Sequence, residues 1–254
     1  MKDYIHTASL AVPVPVVSGQ PIRARSALEA ALLPADTNAH LEKRVETFSP
    51  VRGVYAKVGK RCLDIAFILL TLPVALVIIG LCALALRLEG GSAFYRQPRL
   101  GRNGKQFHIL KLRTMVMDAD ARLERMLAEN PAMRAEWDAT QKLKNDPRIT
   151  RVGNVLRCTS LDELPQLWNV FKGDMSLVGP RPMMPDQLPL YGAADSYFAL
   201  RPGITGLWQV SERNNSRFDY RAKSDAEYAA SLSLTGDLSL LLRTTSVVVR
   251  RTGY

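Results

Sequence analysis

LDIAFILLTLPVALVIIGLCALAL, residues 63–86, is the stretch whose reading decides the fold. It is apolar apart from Asp64 and Thr71, and Pro73 stands near its middle. Lys57, Lys60 and Arg61 precede it; Arg87, Arg96, Arg99 and Arg102 follow it. A straight helix of this length rises about 36 Å, enough to cross a hydrocarbon core of about 30 Å. Two features argue against crossing. A mid-helix proline removes a backbone hydrogen bond and bends the helix. Positive charge brackets both ends, whereas a spanning helix carries it asymmetrically. A helix that enters, breaks at Leu72–Pro73 and leaves on the same face satisfies both features, with Thr71 expected to bond a carbonyl freed by the proline. A spanning helix and a buried core helix are the alternatives.

Working outward, the 254-residue chain is 47% hydrophobic and 23% charged, which supports one sizeable core. A net charge of +10 calls for a polyanionic partner. The apolar stretch turns that reading from nucleic acid towards membrane lipid and nucleotide, and no nucleic-acid recognition motif is seen. Cys62, Cys82 and Cys158 have no metal-binding spacing, so zinc is not expected, and three separated thiols fit a reducing cytoplasm. Met1–Gln20 lacks the charged start and apolar core of a secretory signal. Residues 1–50, with prolines in Ala11–Pro21, read as a flexible cytoplasmic tail. Residues 51–90 read as the re-entrant membrane helix, and residues 91–254 as a cytoplasmic catalytic domain with interfacial helices.

The expected fold class is α+β, predominantly helical: a monotopic membrane protein with a re-entrant helix–break–helix and a small β-hairpin. Ala93–Gln97 and Gln106–Leu112 are rich in branched or aromatic residues, and Gly101–Gly104 supplies the turn. Met117–Glu129 reads as an amphipathic helix with Leu123, Met126 and Leu127 on one stripe. Pro131 opens another helix towards Leu143, which Asn145-Asp146-Pro147 ends. The C-terminal third reads as short helices and turns, with a surface helix over Asp219–Leu232. Leu238–Arg251 fits either an interfacial helix with arginines at the headgroups or a core-packed terminal helix.

Chemistry concentrates in DPRITRVGNVLRCTSLDELPQLWNVFKGDMSLVGPRPMMP, residues 146–185. Arg148, Arg151, Arg157, Lys172 and Arg181 supply cations, and Asp162 and Glu163 form a carboxylate pair. Arg181, fixed between Pro180 and Pro182, suits bidentate grip of a phosphate. Ser160-Leu161-Asp162-Glu163 also matches a capping box that starts a helix, and Pro165 agrees with a first turn. Capping and catalysis are compatible, because helix N-terminal N–H groups and dipole keep a carboxylate ionised. Spacing alone leaves both readings open.

Several ordered blocks resemble the bacterial sugar transferase family, the monotopic polyprenyl-phosphate phosphoglycosyl transferases. They are KRCLDI (60–65), RLGRNG (99–104), KLRTM (111–115), TSLDELPQ (159–166), GPRP (179–182) and PGITGLWQV (202–210). The likeness covers roughly residues 55–254, and its last third is most similar to enzymes that initiate exopolysaccharide repeat units. It implies an enzyme that transfers a hexose 1-phosphate from a UDP-hexose to undecaprenyl phosphate, releasing UMP, at the cytoplasmic face of the bacterial inner membrane. By the same likeness Asp162 is the nucleophile that forms a covalent phospho-sugar intermediate. Glu163 holds Mg²⁺, and Arg181 and Arg157 bind phosphates. Lys111 and Arg113 either do likewise or remain solvated basic residues near headgroups. The likeness permits a homodimer, and galactose and glucose are the leading sugars.

Three positions depart from the family pattern: Glu212 where glycine is expected, Leu112 in place of an aromatic, and Cys158 in place of a basic residue. Asp64 reads as a partner of Lys60 or Arg61 at the start of the membrane helix rather than as catalytic. His6, His40 and His108 are scattered and not expected to act. Trp168 and Trp208 read as packing or interface anchors ahead of nucleotide stackers. The rival function, a non-catalytic membrane scaffold for polysaccharide assembly, has no use for the Asp162, Glu163 and Arg181 set.

Overall fold

The apolar stretch is helical from end to end. The computed structural model describes residues 53–140, 143–191, 194–211 and 218–249. Helix α1 runs Lys60–Leu88, preceded by one π-helical turn over Tyr55–Gly59. Pro73 lies inside α1 without interrupting it, so a continuous helix replaces the expected helix–break–helix. One missing bond costs less than exposing the backbone of several apolar residues. Thr71 Oγ1 donates to Phe67 O at 2.8 Å. It does not serve Leu69 O, the acceptor that the proline leaves without its N–H.

Along α1 one stripe is covered. Lys60, Asp64, Ile68, Ala75 and Leu86 are buried. Ile79, Cys82 and Ala83 pack with Leu86 on Ala93, Leu112 and Leu156. The spacing is helical, so a single face docks on the rest of the protein. Leu69, Leu70, Val74, Leu76, Val77, Leu81, Leu84 and Leu88 are each at least 57% exposed. That much contiguous apolar surface rules out the core helix of a water-soluble domain.

Both ends of α1 are tied to the same body. At the first, Lys60 Nζ meets Asp237 Oδ2 at 2.6 Å and donates to Tyr228 OH at 2.8 Å, and Tyr55 OH donates to Asp237 Oδ2 at 2.6 Å. Asp64 Oδ1 accepts from Ser176 Oγ and from Leu177 N, each at 2.9 Å. The expected ion pair of Asp64 with Lys60 or Arg61 is therefore not made: Lys60 meets Asp237, and Arg61 donates to Val170 O and Phe171 O. Asp237 takes the ammonium, while Asp64, equally buried, is held through Oδ1 by Ser176 and the Leu177 main chain. At the second end Arg113 Nη2 donates to Leu86 O at 3.1 Å and Gly90 O at 2.5 Å. Glu89 Oε1 accepts from Val152 N at 3.1 Å.

The hairpin forms as β1 (Phe94–Leu100) and β2 (Gln106–Leu112), antiparallel, with Tyr95 opposite Lys111. Asn103 (φ 58°) and Gly104 (φ 72°) take the left-handed turn between them. Helices α2 (Ala119–Glu129) and α3 (Pro131–Thr140) follow. Leu123, Leu127 and Leu143 are buried between them with Met126, Met133 and Trp137. Next come α4 (Arg151–Thr159), a 3₁₀ turn over Leu161–Gln166, and α5 (Leu167–Lys172).

The C-terminal third holds a feature not expected from sequence. Strands β3 (Ser176–Val178) and β4 (Gly203–Thr205) pair in parallel. Three residues are too few to show a period of two, so this sheet left no sequence signal. Between them lie α6 (Leu188–Tyr191) and α7 (Asp195–Ala199), and after them α8 (Leu207–Ser211), α9 (Phe218–Ala230) and α10 (Leu234–Val249). Helix α9 is the expected surface helix, with Lys223, Ala226 and Glu227 exposed and one face, Ser224, Asp225 and Tyr228, buried. Helix α10 starts before Leu238 and divides the two readings between its faces. Leu240 joins the core with Val170, Leu177 and Tyr228, while Leu238 and Leu242 are exposed. The tail (residues 1–50, with His6 and His40), Glu212 and the terminal Arg250 and Arg251 lie outside the described residues.

Candidate active site

The dyad sits at a chain reversal. Thr150 Oγ1 caps α4 by accepting from Gly153 N at 2.9 Å. A Cβ at Gly153 would overlap the Thr114 carbonyl, so glycine lets α4 close onto the segment after β2. Helix α4 ends at Ser160, which adopts φ 57°, a left-handed conformation rare for serine. The chain then turns directly into the 3₁₀ segment carrying Asp162, Glu163 and Pro165. The expected capping box is absent. The Ser160 side chain caps nothing, and only its carbonyl accepts from Glu163 N at 3.2 Å. A serine already committed to ending one helix has the wrong dihedral to start the next.

One asparagine seats this turn on the hairpin. Asn169 on α5 is buried, its Oδ1 accepting from Leu110 N at 3.0 Å and its Nδ2 donating to His108 O at 2.8 Å. The amide thereby extends the β2 ladder by one rung. Lys111, one residue on, then meets the dyad: its Nζ lies 2.7 Å from Glu163 Oε1 and 3.7 Å from Asp162 Oδ2. Arg181, in the turn after β3, comes within 3.9 Å of Glu163 Oε1 and stays exposed. That turn is held by Gly179 N to Thr205 O and Gly203 N to Pro180 O, both 2.8 Å. A Cβ at Gly206 would strike the Gly179 carbonyl, which explains the glycine in this close crossing. Arg157 reaches back to the hairpin side, its Nε donating to Thr114 Oγ1 at 2.9 Å.

Asp162 is buried, and burial raises its pKa above the usual carboxylate range against the pull of Lys111, Arg157 and Arg181. Glu163 beside it pushes in the same direction as burial. This reverses the expectation that helix N-terminal N–H groups govern the acid. Cations gathered from β2, α4 and the 179–182 turn oppose the burial instead, favouring its ionised form. Arg157 is itself lowered by burial, with Asp162 pulling it back up.

Five of the six site residues expected from sequence therefore converge: Asp162, Glu163, Lys111, Arg157 and Arg181. Arg113 does not. It is buried, bonds the end of α1, and lies against Met117 Sδ at 3.0 Å. Two residues after Lys111 a strand would set both side chains on one face, but β2 ends at Leu112 and the Arg113 guanidinium turns to the Leu86 and Gly90 carbonyls instead. Asn169 and Ser160 went unnoticed in the sequence. A buried amide serving a strand edge has no local signature, and a left-handed serine has none either.

Among the described residues no group of three or more His, Cys, Asp or Glu could cage a metal. The adjacent carboxylates of Asp162 and Glu163 suit a hard cation that takes one or two protein oxygens and completes its shell with water and phosphate, which is the habit of Mg²⁺. Trp168 is exposed and stacks on Phe171 at 5.6 Å, as an interface anchor would. Trp208 is buried under Arg221, 4.2 Å from ring centroid to guanidinium carbon. His108 is exposed and Leu112 is core packing.

A family model described as bacterial sugar transferase matches residues 55–251. The chain is 47% identical over 195 residues to a Salmonella typhimurium protein named undecaprenyl-phosphate galactose phosphotransferase, covering 76% of this chain and 41% of that one. It is 42% identical over 229 residues to the exopolysaccharide production protein ExoY of Sinorhizobium fredii, covering 88% and 95%. It is 38% identical over 205 residues to a Caulobacter vibrioides protein named UDP-glucose:undecaprenyl-phosphate glucose-1-phosphate transferase, covering 77% and 71%. The chain thus spans under half the length of some relatives and nearly all of another.

Proposed function

The chain belongs to the bacterial sugar transferase family, and on that premise we propose that it transfers a hexose 1-phosphate from a UDP-hexose to undecaprenyl phosphate, the first membrane step of exopolysaccharide synthesis. The observation that carries the reading is the meeting of Asp162 with cations drawn from three distant segments. An Asp162 oxygen attacks the phosphorus next to the sugar. The P–O bond to the bridging oxygen breaks, and that oxygen leaves on UMP. An oxygen of the lipid phosphate then attacks the same phosphorus, and the aspartyl–phosphorus bond breaks to return the carboxylate. Lys111 and Arg157 hold charge on the attacked phosphate, and Arg181 reaches it from the opposite side. Glu163, with Asp162 beside it, would hold Mg²⁺, which when bound offsets negative charge on the donor diphosphate.

The lipid acceptor calls for a site at headgroup depth. Because Lys60 and Asp64 at one end of α1 and Leu86 and Glu89 at the other contact the same body, we read α1 as re-entrant, bent at Pro73 without a break in its helix. Its exposed face enters one leaflet, and both ends stay at the cytoplasmic face of the inner membrane. Cys62, and a Leu88→Cys replacement in a background lacking the native cysteines, mark the two ends. Neither is expected to react with an impermeant thiol reagent from the periplasmic side, and reaction of either refutes re-entry.

The direct test of the chemistry is UMP release from a panel of UDP-sugars with undecaprenyl phosphate and Mg²⁺. Labelled donor alone should leave its sugar phosphate on Asp162. Substrate binding without turnover would favour a scaffold instead.

A further inference from the structure

Strand β1 turns one face to α1 and the other to the dyad. Phe94 lies opposite Leu112, and Leu112 packs with Leu86 at the second end of α1. Tyr95 lies opposite Lys111, whose ammonium sits on Glu163. Residues directly across an antiparallel pair share a face, and neighbours along a strand alternate. Tyr95 therefore stands beside Lys111 on the dyad side, and it is 48% exposed. Gln97 and Arg99 continue that face. Gln97 Nε2 meets Met184 Sδ at 3.3 Å, and Arg99 Nη1 donates to Pro182 O at 3.3 Å. Both contacts hold β1 against the segment that follows Arg181. The strand thus runs along the site. Tyr95 borders Lys111 at one end, and Arg99 meets the Arg181 turn at the other, about 13 Å further on.

The direction of the chemistry tells what each end faces. In phosphoryl transfer the attacking and leaving oxygens lie roughly in line. With Asp162 attacking, UMP departs on the far side of phosphorus and the sugar stays attached. Lys111 belongs to the attacking side, 3.7 Å from Asp162 Oδ2. Tyr95 beside it is at the sugar's end, and the departing nucleotide points towards the Arg181 turn. The groups at the Tyr95 end suit a sugar. A tyrosine ring offers a flat apolar surface to the C–H face of a hexose, and its hydroxyl can bond the sugar's own. Asp120, exposed in the first turn of α2, is near enough for its charge to reach the Tyr95 hydroxyl. A carboxylate there accepts from hydroxyl groups and repels phosphate.

We propose that Tyr95 is the platform for the hexose of the donor, its ring stacked on the sugar and Asp120 beside it accepting from the sugar's hydroxyls. This rests on the reading of Asp162 as the nucleophile. It also says where one hexose is told from another. Lys111, Arg157 and Arg181 cannot do that, because every UDP-hexose carries the same diphosphate.

The test uses the full chain in lipid nanodiscs, in an Asp162→Asn background where the donor binds without being consumed. UDP-galactose, UDP-glucose and UMP are the probes. Tyr95→Ala is expected to raise the Kd of the tighter-binding UDP-hexose about tenfold and to leave the Kd of UMP within about twofold. Tyr95→Phe keeps the ring and should bind the same UDP-hexose within about threefold of the parent. Asp120→Asn should change the ratio of the two UDP-hexose Kd values about threefold or more, with UMP unmoved. An equal rise for UMP and UDP-hexose in Tyr95→Ala would overturn the platform by placing the ring on the nucleoside. No rise in either, or a Tyr95→Phe variant as weak as Tyr95→Ala, would overturn it too. An unchanged ratio in Asp120→Asn would overturn the hydroxyl contact. The nucleophile is tested separately, by label retention on Asp162 in the unsubstituted protein, so a failed platform and a failed dyad read out differently.

Discussion

Two lysine–carboxylate clusters in this protein use the same chemistry for opposite ends. Lys60 and Asp237 are sealed, with side chains 8% and 0% exposed and the remaining capacity of the carboxylate filled by Tyr55 and Tyr228. Lys111, Asp162 and Glu163 are ajar, with side chains 12–20% exposed and one ammonium shared between two acids. The closed cluster has every charge answered, so it joins elements. The open one has a surplus acid and a reachable lysine, so it can exchange partners with a substrate. The proximity of a lysine to an aspartate therefore says little about function, and the number of groups left to answer says much.

The largest expected effect breaks the open cluster at its nucleophile. Asp162→Asn should lower UMP release by more than about 10⁴-fold, above 5 kcal/mol of barrier, with the fold intact by thermal melting. Full activity in that variant would end the aspartyl mechanism. The closed cluster should answer with stability instead. Lys60→Met leaves a buried carboxylate without its cation and should cost about 3–5 kcal/mol of folding free energy. Adding Asp237→Leu should return most of that loss, because a sealed pair can be replaced by packed apolar groups. A double variant as unstable as the single one would show that the pair does more than join α1 to α10.

Between these lies Lys111→Gln. It should reduce kcat about 10–100-fold, roughly 1.4–2.7 kcal/mol, while the melting temperature holds within a few degrees. No second substitution at Glu163 should restore the rate, in contrast to the sealed pair. Recovery by a Lys111→Gln, Glu163→Gln double variant would make the two clusters alike.

What could be read in advance follows the same division. The hairpin, helices α2 and α3, and the set of Asp162, Glu163, Lys111, Arg157 and Arg181 were legible, because periodicity, turn residues and a dense family motif are local in sequence. The closures were not. Asp237 lies 177 residues from Lys60, and Ser176 lies 112 residues from Asp64, so no spacing rule could join them. Local rules also misled. The i,i+4 pair of Lys60 and Asp64 and the capping box of Ser160 and Glu163 were both available, and both lost to tertiary demands. A buried Asp237 claimed the lysine, and the end of α4 claimed the serine. Arg113 failed for a related reason: two residues after Lys111 and just past the end of β2, it needed only a different neighbour, the end of α1, to become structural.

Asp225 offers the finest test, since it is a buried acid without a lysine. Tyr191 donates to it and Arg221 attracts it, yet burial dominates and carries its pKa to about 7. The folded state therefore holds a proton that an unfolded aspartate, with a pKa near 3.9, has released between roughly pH 4 and pH 7. In that window the native protein binds more protons than the unfolded chain, so stability falls as pH rises. The slope approaches about 1.4 kcal/mol per pH unit at most and flattens above pH 7, where both states are ionised. Melting in nanodiscs without nucleotide should show this decline, and Asp225→Asn should reduce it, leaving the smaller part that Asp64 and Asp162, also raised by burial, contribute in the same direction. If the Asp225 variant keeps the full slope, the proton resides elsewhere, and burial without a lysine is not what raises this acid.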